Sequence, residues 1–309
     1  MRRLERFLSL AAALALAACT SLPPGDWSNP SAEPLPERAE RTDAPFHPQE
    51  EYQCGPAALA TALGSAGVRR EPAALTEEVY VPARRGSLQP EMLAAARRSG
   101  VVAYRLVPQP QALLKELAAG HPVVVLLNLR FDWAPQWHYA VAVGYDLRAR
   151  QVVLRSGREK RLVMDLDDFD RSWAKSGRWA FVALPADRLP ATAAEADYVA
   201  AAVALERVVP SAAEVAYRTA LGAWPRNFVA RIGLGNAAYR RGDKDAAEAA
   251  FRQAAADHPE SGDAWNNLAQ LLHERGEGHA AREAAERAVA IGGPRLPTYR
   301  RTLEAVSGG

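Results

Sequence analysis

The stretch Gln49-Glu50-Glu51-Tyr52-Gln53-Cys54-Gly55-Pro56 runs directly into the small apolar segment Ala57 to Leu63. It sets a lone thiol at the start of a helix. Pro56 suits the first helical position, where its missing N–H costs no bond. Gly55 lets the backbone come close to whatever lies beside the sulfur. Unpaired amide hydrogens and the positive end of the helix dipole favour thiolate over thiol. Thiolate is the nucleophilic form, so the segment has the make-up of an activated cysteine. The plainer reading of the same residues is a small hydrophobe at a helix start.

A thiolate nucleophile needs a base, and the chain holds six histidines. His258, His273 and His279 fall on polar stretches near the C-terminus. His47 precedes Pro48, and His121 sits in the turn Gly120-His121-Pro122. His138 differs: it opens the apolar strand Tyr139 to Val143, directly after Asp132-Trp133-Ala134-Pro135-Gln136-Trp137. A histidine at a strand start can point across a sheet edge toward a helix N-terminus.

Residues 46 to 184 read as mixed helix and strand. After the Cys54 helix, helices are expected over Gln89 to Ser99 and Gln109 to Ala119, stopped by Gly100 and Gly120. Strand patterns follow over His121 to Leu129, His138 to Tyr145, Gln151 to Leu154, Arg161 to Leu166 and Trp179 to Leu184. Helices first and strands later imply an α+β arrangement around an antiparallel sheet.

From Ala193 the chain is rich in Ala, Glu and Arg, and it repeats. Ala213, Ala247 and Ala281 stand 34 residues apart, as do Ala220, Ala254 and Ala288, with Tyr217, Phe251 and Ala285 between them. This helix-turn-helix period is the tetratricopeptide signature. The best repeats are 227–259 and 261–294, and a degenerate one begins near Ala193. Such pairs stack into a concave surface that holds peptides or proteins; a plain packing role against the first domain is the other reading. The glycines of Ile232-Gly233-Leu234-Gly235-Asn236 are expected to be helix-packing residues, not a phosphate loop.

Gln49, Cys54-Gly55-Pro56 and Trp137-His138-Tyr139-Ala140-Val141-Ala142-Val143-Gly144-Tyr145-Asp146 together resemble the papain-like peptidases of cysteine family thirty-nine, the double-glycine or bacteriocin-processing group. The resemblance implies an α+β papain-like domain over 46–186, its Cys-bearing helix packed on an antiparallel sheet, followed by an all-α tetratricopeptide-repeat domain over 193–309. It implies amide-bond hydrolysis of a peptide or protein, with Cys54 as nucleophile, His138 as base and Gln49 in the oxyanion hole; Gln53 is the less fitting substitute. The chain departs from the pattern at the third catalytic member. The family's Asp is missing where Gln151 to Leu154 runs into Arg155-Ser156-Gly157. Ser156 or Asp146 is left for the role, or a Cys–His dyad suffices; Asp165, Asp167 and Asp168 read as a solvated acidic loop. A non-catalytic peptide-binding adaptor is the alternative function. Double-glycine specificity is not implied, because the family's usual transporter segment has no counterpart here.

The N-terminal residues set the expected location. Arg2, Arg3 and Arg6 precede the apolar run Phe7 to Ala18, which is too short to span a bilayer. Leu16-Ala17-Ala18-Cys19 resembles a bacterial lipobox, implying a signal peptide over 1–18 and lipidation of Cys19. With Thr20 next and no Asp there, the resemblance points to the periplasmic face of the outer membrane. Cys54 would then be the one thiol left in an oxidising compartment. Residues 19–45 hold six prolines and read as an extended tether with no fold, standing the domain tens of ångströms off the membrane.

The net charge of +2 is nearly balanced. Arg84-Arg85, Arg97-Arg98 and Arg240-Arg241 are short pairs that read as solvated faces, so no nucleic-acid partner is expected. No metal-ligand spacing occurs, and no cofactor is expected.

Overall fold

The computed structural model describes residues 23–29, 33–49 and 53–308. The first part contains β1 (Arg38–Glu40), α1 (Cys54–Ser65), α2 (Pro72–Val79), β2 (Tyr80–Val81), β3 (Gly86–Ser87), α3 (Gln89–Arg98) and β4 (Val102–Arg105). It continues with α4 (Pro110–Ala118), β5 (Val123–Asn128), β6 (Trp137–Asp146), β7 (Gln151–Ser156), β8 (Glu159–Asp165), α5 (Leu166–Ala174) and β9 (Ala180–Leu184). The second part is helical: α6 (Glu195–Glu206), α7 (Pro210–Ala223), α8 (Phe228–Arg240), α9 (Lys244–Asp257), α10 (Gly262–Glu274), α11 (Gly278–Ile291) and α12 (Leu296–Ser307). An antiparallel sheet with helices, followed by an all-helical unit, is the arrangement expected from the sequence.

Strands β4-β9-β5-β6-β7-β8 pair in that order, all antiparallel, and β1 pairs with the far end of β6. Gly144 makes room for β1, since a side chain there would run into the backbone of Ala39 and Glu40. Side chains alternate between the two faces. Val123, Val125 and Leu127 enter one core, while Val124 and Leu126 enter the other. Helices cover both faces, which is why β5 is apolar without interruption.

Helix α1 is buried from Gly55 to Leu63 and has no polar face. A helix apolar all round belongs inside. It lies against the face carrying Val124, Tyr139, Val141 and Phe181. Leu59 and Leu63 are fully buried there, each contributing about 2 kcal/mol. The interior position of α1 fixes where its first residue, Cys54, emerges.

The opposite face carries α4 and α5, and it also receives the helical unit: Tyr198, Leu205 and Tyr217 belong to the same core as Val125 and Tyr104. The fully buried Glu116 carboxylate clasps the junction. It accepts from the backbone N–H of Ala191 and Thr192 and from the Thr192 hydroxyl, and it meets His121 Nδ1 at 2.7 Å. Tyr104 donates its hydroxyl to Thr192 O and accepts from Ala194 N.

Helices α6/α7, α8/α9 and α10/α11 form three antiparallel pairs, with α12 packed after them. The degenerate pair near Ala193 is thus a full one. Gly233 and Gly235 are packing residues: a β-carbon on them would run into the rings of Tyr217 and Phe251.

Two expectations are corrected. Residues 19–45 are not an unfolded tether in their described part. Trp27 is buried against Phe169 and Trp173, β1 joins the sheet, and Gly25 N–H donates to Asp170, which is itself bridged by Arg178. Asp165, Asp167 and Asp168 are not a loop; Asp165 caps α5 by accepting from the amides of Asp167 and Asp168. Strand β4 and helix α2 were not foreseen. The signal peptide over 1–18 and Cys19 lie outside the described residues.

Candidate active site

Gln49, Cys54 and His138 line one open cleft of about 1370 Å³. Cys54 arrives on the first turn of α1. Its preceding residue, Gln53, makes no side-chain cap, so the early amides of the helix are left for other partners. Gly55 is needed beside the thiol because a side chain there would collide with Ser87.

His138 is the second residue of β6, opposite Leu127 of β5. Its Nε2 lies 2.9 Å from Ser156 Oγ at the end of β7. Ser156 thereby occupies the side of the imidazole where an orienting group belongs. Asp146 does not reach the ring. It sits eight residues further along β6, about 26 Å away at strand rise, and accepts from Ala149 N in the β6–β7 turn. No hydrogen bond joins the Cys54 thiol directly to the imidazole among the described residues.

Gln49 is clipped to the same strand ends. Its backbone N–H donates to Gly157 O at 2.9 Å, and its side-chain amide donates to Tyr139 O at 3.4 Å. The amide has a second hydrogen for a ligand.

The electrostatics differ from the sequence expectation. Burial pushes the Cys54 thiol up, and the amides of Tyr139 and Gly55, which favour thiolate, only partly offset it. Burial likewise lowers His138. Both shifts favour the neutral thiol and neutral imidazole at rest, where the helix-dipole argument alone implied thiolate. The desolvation of a largely buried sulfur outweighs a few amide dipoles.

Several cleft residues were not picked out from the sequence. Ser87 Oγ is buried, has no partner among the described residues, and faces the cleft beside Gly55. The Tyr139 hydroxyl is also buried with no partner among the described residues, and burial raises its pKa. Arg84 and Arg85, read as a merely solvated pair, line the cleft wall. They come from the β2–β3 hairpin, whose two-residue strands are too short to leave a periodic signal. Of the other histidines, His121 pairs with Glu116 and His258 with Glu260, away from the cleft. Among the described residues no group of three or more His, Cys, Asp or Glu is placed to hold a metal ion.

Residues 41–181 match the profile of the Peptidase_C39 like family. Residues 198–251 and 232–295 match the tetratricopeptide repeat. The chain is thus similar to the C39-like peptidases over its sheet-containing part and to tetratricopeptide repeats over its helical part. A C39-like peptidase from Bacillus anthracis is 17% identical, covering 48% of this chain and 97% of its own, with a TM-score of 0.42. The peptidase domain of Streptococcus ComA, a bifunctional ABC transporter of a quorum-sensing pathway, is 21% identical, covering 46% and 98%, with a TM-score of 0.38. A search of curated proteins found no match.

Proposed function

We propose that the chain is a cysteine peptidase in which Cys54 is the nucleophile, His138 the base, Ser156 the group that orients His138, and Gln49 an oxyanion donor. The observation that carries the reading is one cleft lined by Gln49, Cys54 and His138, with His138 Nε2 engaged by Ser156. That bond leaves Nδ1 to serve the thiol.

The chemistry follows from these neutral resting forms. The sulfur attacks a peptide carbonyl carbon as His138 takes the thiol proton, so charge develops only on the way to the tetrahedral intermediate. The Gln49 side chain and the Cys54 backbone N–H hold the new oxyanion. Imidazolium gives its proton to the amine, the C–N bond breaks, and a thioester remains. Water attacks the thioester as His138 takes its proton. The C–S bond breaks and the thiol is restored. A serine hydroxyl orients the ring without adding charge, which suits a thiol already more acidic than an alcohol.

The same reading makes Cys19 a lipid attachment site and places the protein on the periplasmic face of the outer membrane. The repeats recruit a protein or peptide partner. A non-catalytic peptide-binding adaptor is the second reading, favoured by the lack of a carboxylate beside His138 among the described residues. A peptide carrying a thiol-directed electrophile separates the two. An enzyme gives labelling of Cys54 that is lost in His138→Ala, and an adaptor gives labelling no faster than a free cysteine at neutral pH.

A further inference from the structure

The wall of the Cys54 cleft carries Arg84, Arg85, Arg130, Arg158 and Lys175, and no Asp or Glu lines it among the described residues. Composition does not explain this, since the chain as a whole has a net charge of only +2. Glu50 and Glu51 stand in sequence between Gln49 and Cys54. Counting both into the cleft still leaves the five cations in excess. Lys175 is partly answered by Asp132 at 4.0 Å. The four arginines have no carboxylate partner among the described residues.

Arg85 makes the point sharpest. Among the described residues three non-glycine positions have left-handed backbone, and all are arginines: Arg85, Arg150 and Arg178. Arg150 reaches Asp167, and Arg178 is bound by both oxygens of Asp170. Arg85 has no such partner among the described residues and lines the cleft. A left-handed position disfavours side chains with a β-carbon, and glycine or asparagine would suit the hairpin better. An arginine there is placed for its charge.

Beside the cations stands a preformed apolar finger, the connection from β5 to β6. Buried Asn128 accepts from the amides of Arg130 and Gln136, and Leu129 N donates to Gln136 O. Phe131 and Trp133 stack at its tip with centroids 5.6 Å apart, 64% and 83% exposed. Trp137 at its base is half exposed and lines the cleft.

We infer that the cleft takes an acidic polypeptide segment that also carries an apolar side chain. The carboxylates lie along Arg84, Arg85 and Arg158, and the apolar group lies against Trp137 and the finger. Low-dielectric walls lined by one sign of charge focus the field on an incoming anion. This substrate class rests on the peptidase reading for its cleavage but not for its binding. An anionic membrane surface is the other acidic partner such residues suit. Arg130 and Lys175 stand beside the Phe131–Trp133 tip, but Arg84, Arg85 and Arg158 line the cleft wall with Cys54 on connections apart from it.

The test uses the full chain with Cys54→Ala and fluorescent peptides of one leucine-containing scaffold in Glu-rich, Gln-rich and Lys-rich versions. Fluorescence anisotropy is expected to show the Glu-rich peptide binding about tenfold tighter than the Gln-rich one. The preference shrinks as salt is raised and disappears in Arg84→Gln/Arg85→Gln. Equal binding of the Glu-rich and Gln-rich peptides overturns the inference. So does a preference that the arginine substitutions leave intact, or a loss confined to phosphatidylglycerol vesicles with peptide binding unchanged. The two readings fail separately. Glu-selective binding without cleavage by the unmodified chain sinks the peptidase and spares the substrate class. Electrophile labelling of Cys54 without charge preference does the reverse.

Discussion

His138 Nε2 meets the Ser156 hydroxyl at 2.9 Å, joining the second residue of β6 to the last residue of β7. Ser156 is 8% exposed, so the bond is sheltered and holds the ring at a fixed angle. Replacing it with Ser156→Ala leaves a buried ring nitrogen without a partner. The variant should lose about 1–2 kcal/mol of stability and roughly tenfold in turnover, with KM little changed. Ser156→Asp puts a carboxylate in the same place and should raise the His138 pKa. The imidazole titration followed by NMR, with kcat measured alongside, checks both. A Ser156→Ala enzyme of full turnover would show that the ring is held by other means.

The pH dependence follows from the two buried groups. His138 is lowered from 6.5 and Cys54 raised from 9.0, each by burial. On the acid side the unfolded chain takes up the histidine proton first. The His138 contribution to stability is therefore complete above about 6.5 and is lost as pH falls toward the depressed folded value. On the alkaline side the unfolded thiol ionises first, so the Cys54 contribution is lost as pH rises through 9.0 toward the raised folded value. Iodoacetamide should alkylate Cys54 slowly at neutral pH, with an inflection above that of a free cysteine. A rate already at its plateau at neutral pH would indicate a resting ion pair.

Gln49 offers a separable test. Its backbone bond to Gly157 survives side-chain truncation, so Gln49→Ala should fold normally. Loss of one oxyanion donor should lower kcat by about 10²–10³ while leaving KM near its original value. An equal rise in KM with unchanged kcat would make Gln49 a substrate-binding residue.

The Glu116 clasp predicts how the two units hold together. Glu116→Ala leaves the amides of Ala191 and Thr192 and the ring of His121 without their buried partner. Removal of such an anchor costs about 3 kcal/mol, read by urea unfolding. The junction near Thr192 should also become sensitive to limited proteolysis, because the repeats share their core with the sheet through Tyr198 and Tyr217.

Much of this was legible in the chain, for physical reasons. The Cys54 helix showed itself by Pro56 and an unbroken small apolar run, and the long strands by their apolar patterns. The repeats showed themselves by a fixed period that stacked pairs require. Ser156 was open as the partner of His138, and the fold settles the contact by pairing β6 with β7. Other features leave no local trace. Strand β1 is three residues long and polar, and it is recruited only because Gly144 leaves room. The basic cleft assembles Arg84, Arg130, Arg158 and Lys175 from four separate connections, so no window of sequence contains it. The thiol's burial depends on the walls around it, which a dipole argument on one helix does not include.

The N-terminal arm changes how an anchored molecule would stand. Prolines before Pro45 suggested a long spacer, yet the chain is already fastened at Pro23, whose carbonyl accepts from Arg178, and at Trp27, which is 7% exposed. With lipid on Cys19, only the residues between it and Pro23 span the gap, about 14 Å when fully extended. The domain would then ride close to the bilayer. Trp27→Ala should free the arm, at a cost of about 3 kcal/mol, and let the domain move outward along the released prolines. Fluorescence energy transfer from a dye on the domain to a lipid dye, in vesicles carrying the lipidated chain, measures that height. Efficient transfer in the unaltered protein that falls in Trp27→Ala is the expected result. Equal and weak transfer in both would mean that the arm does not hold the domain to the surface.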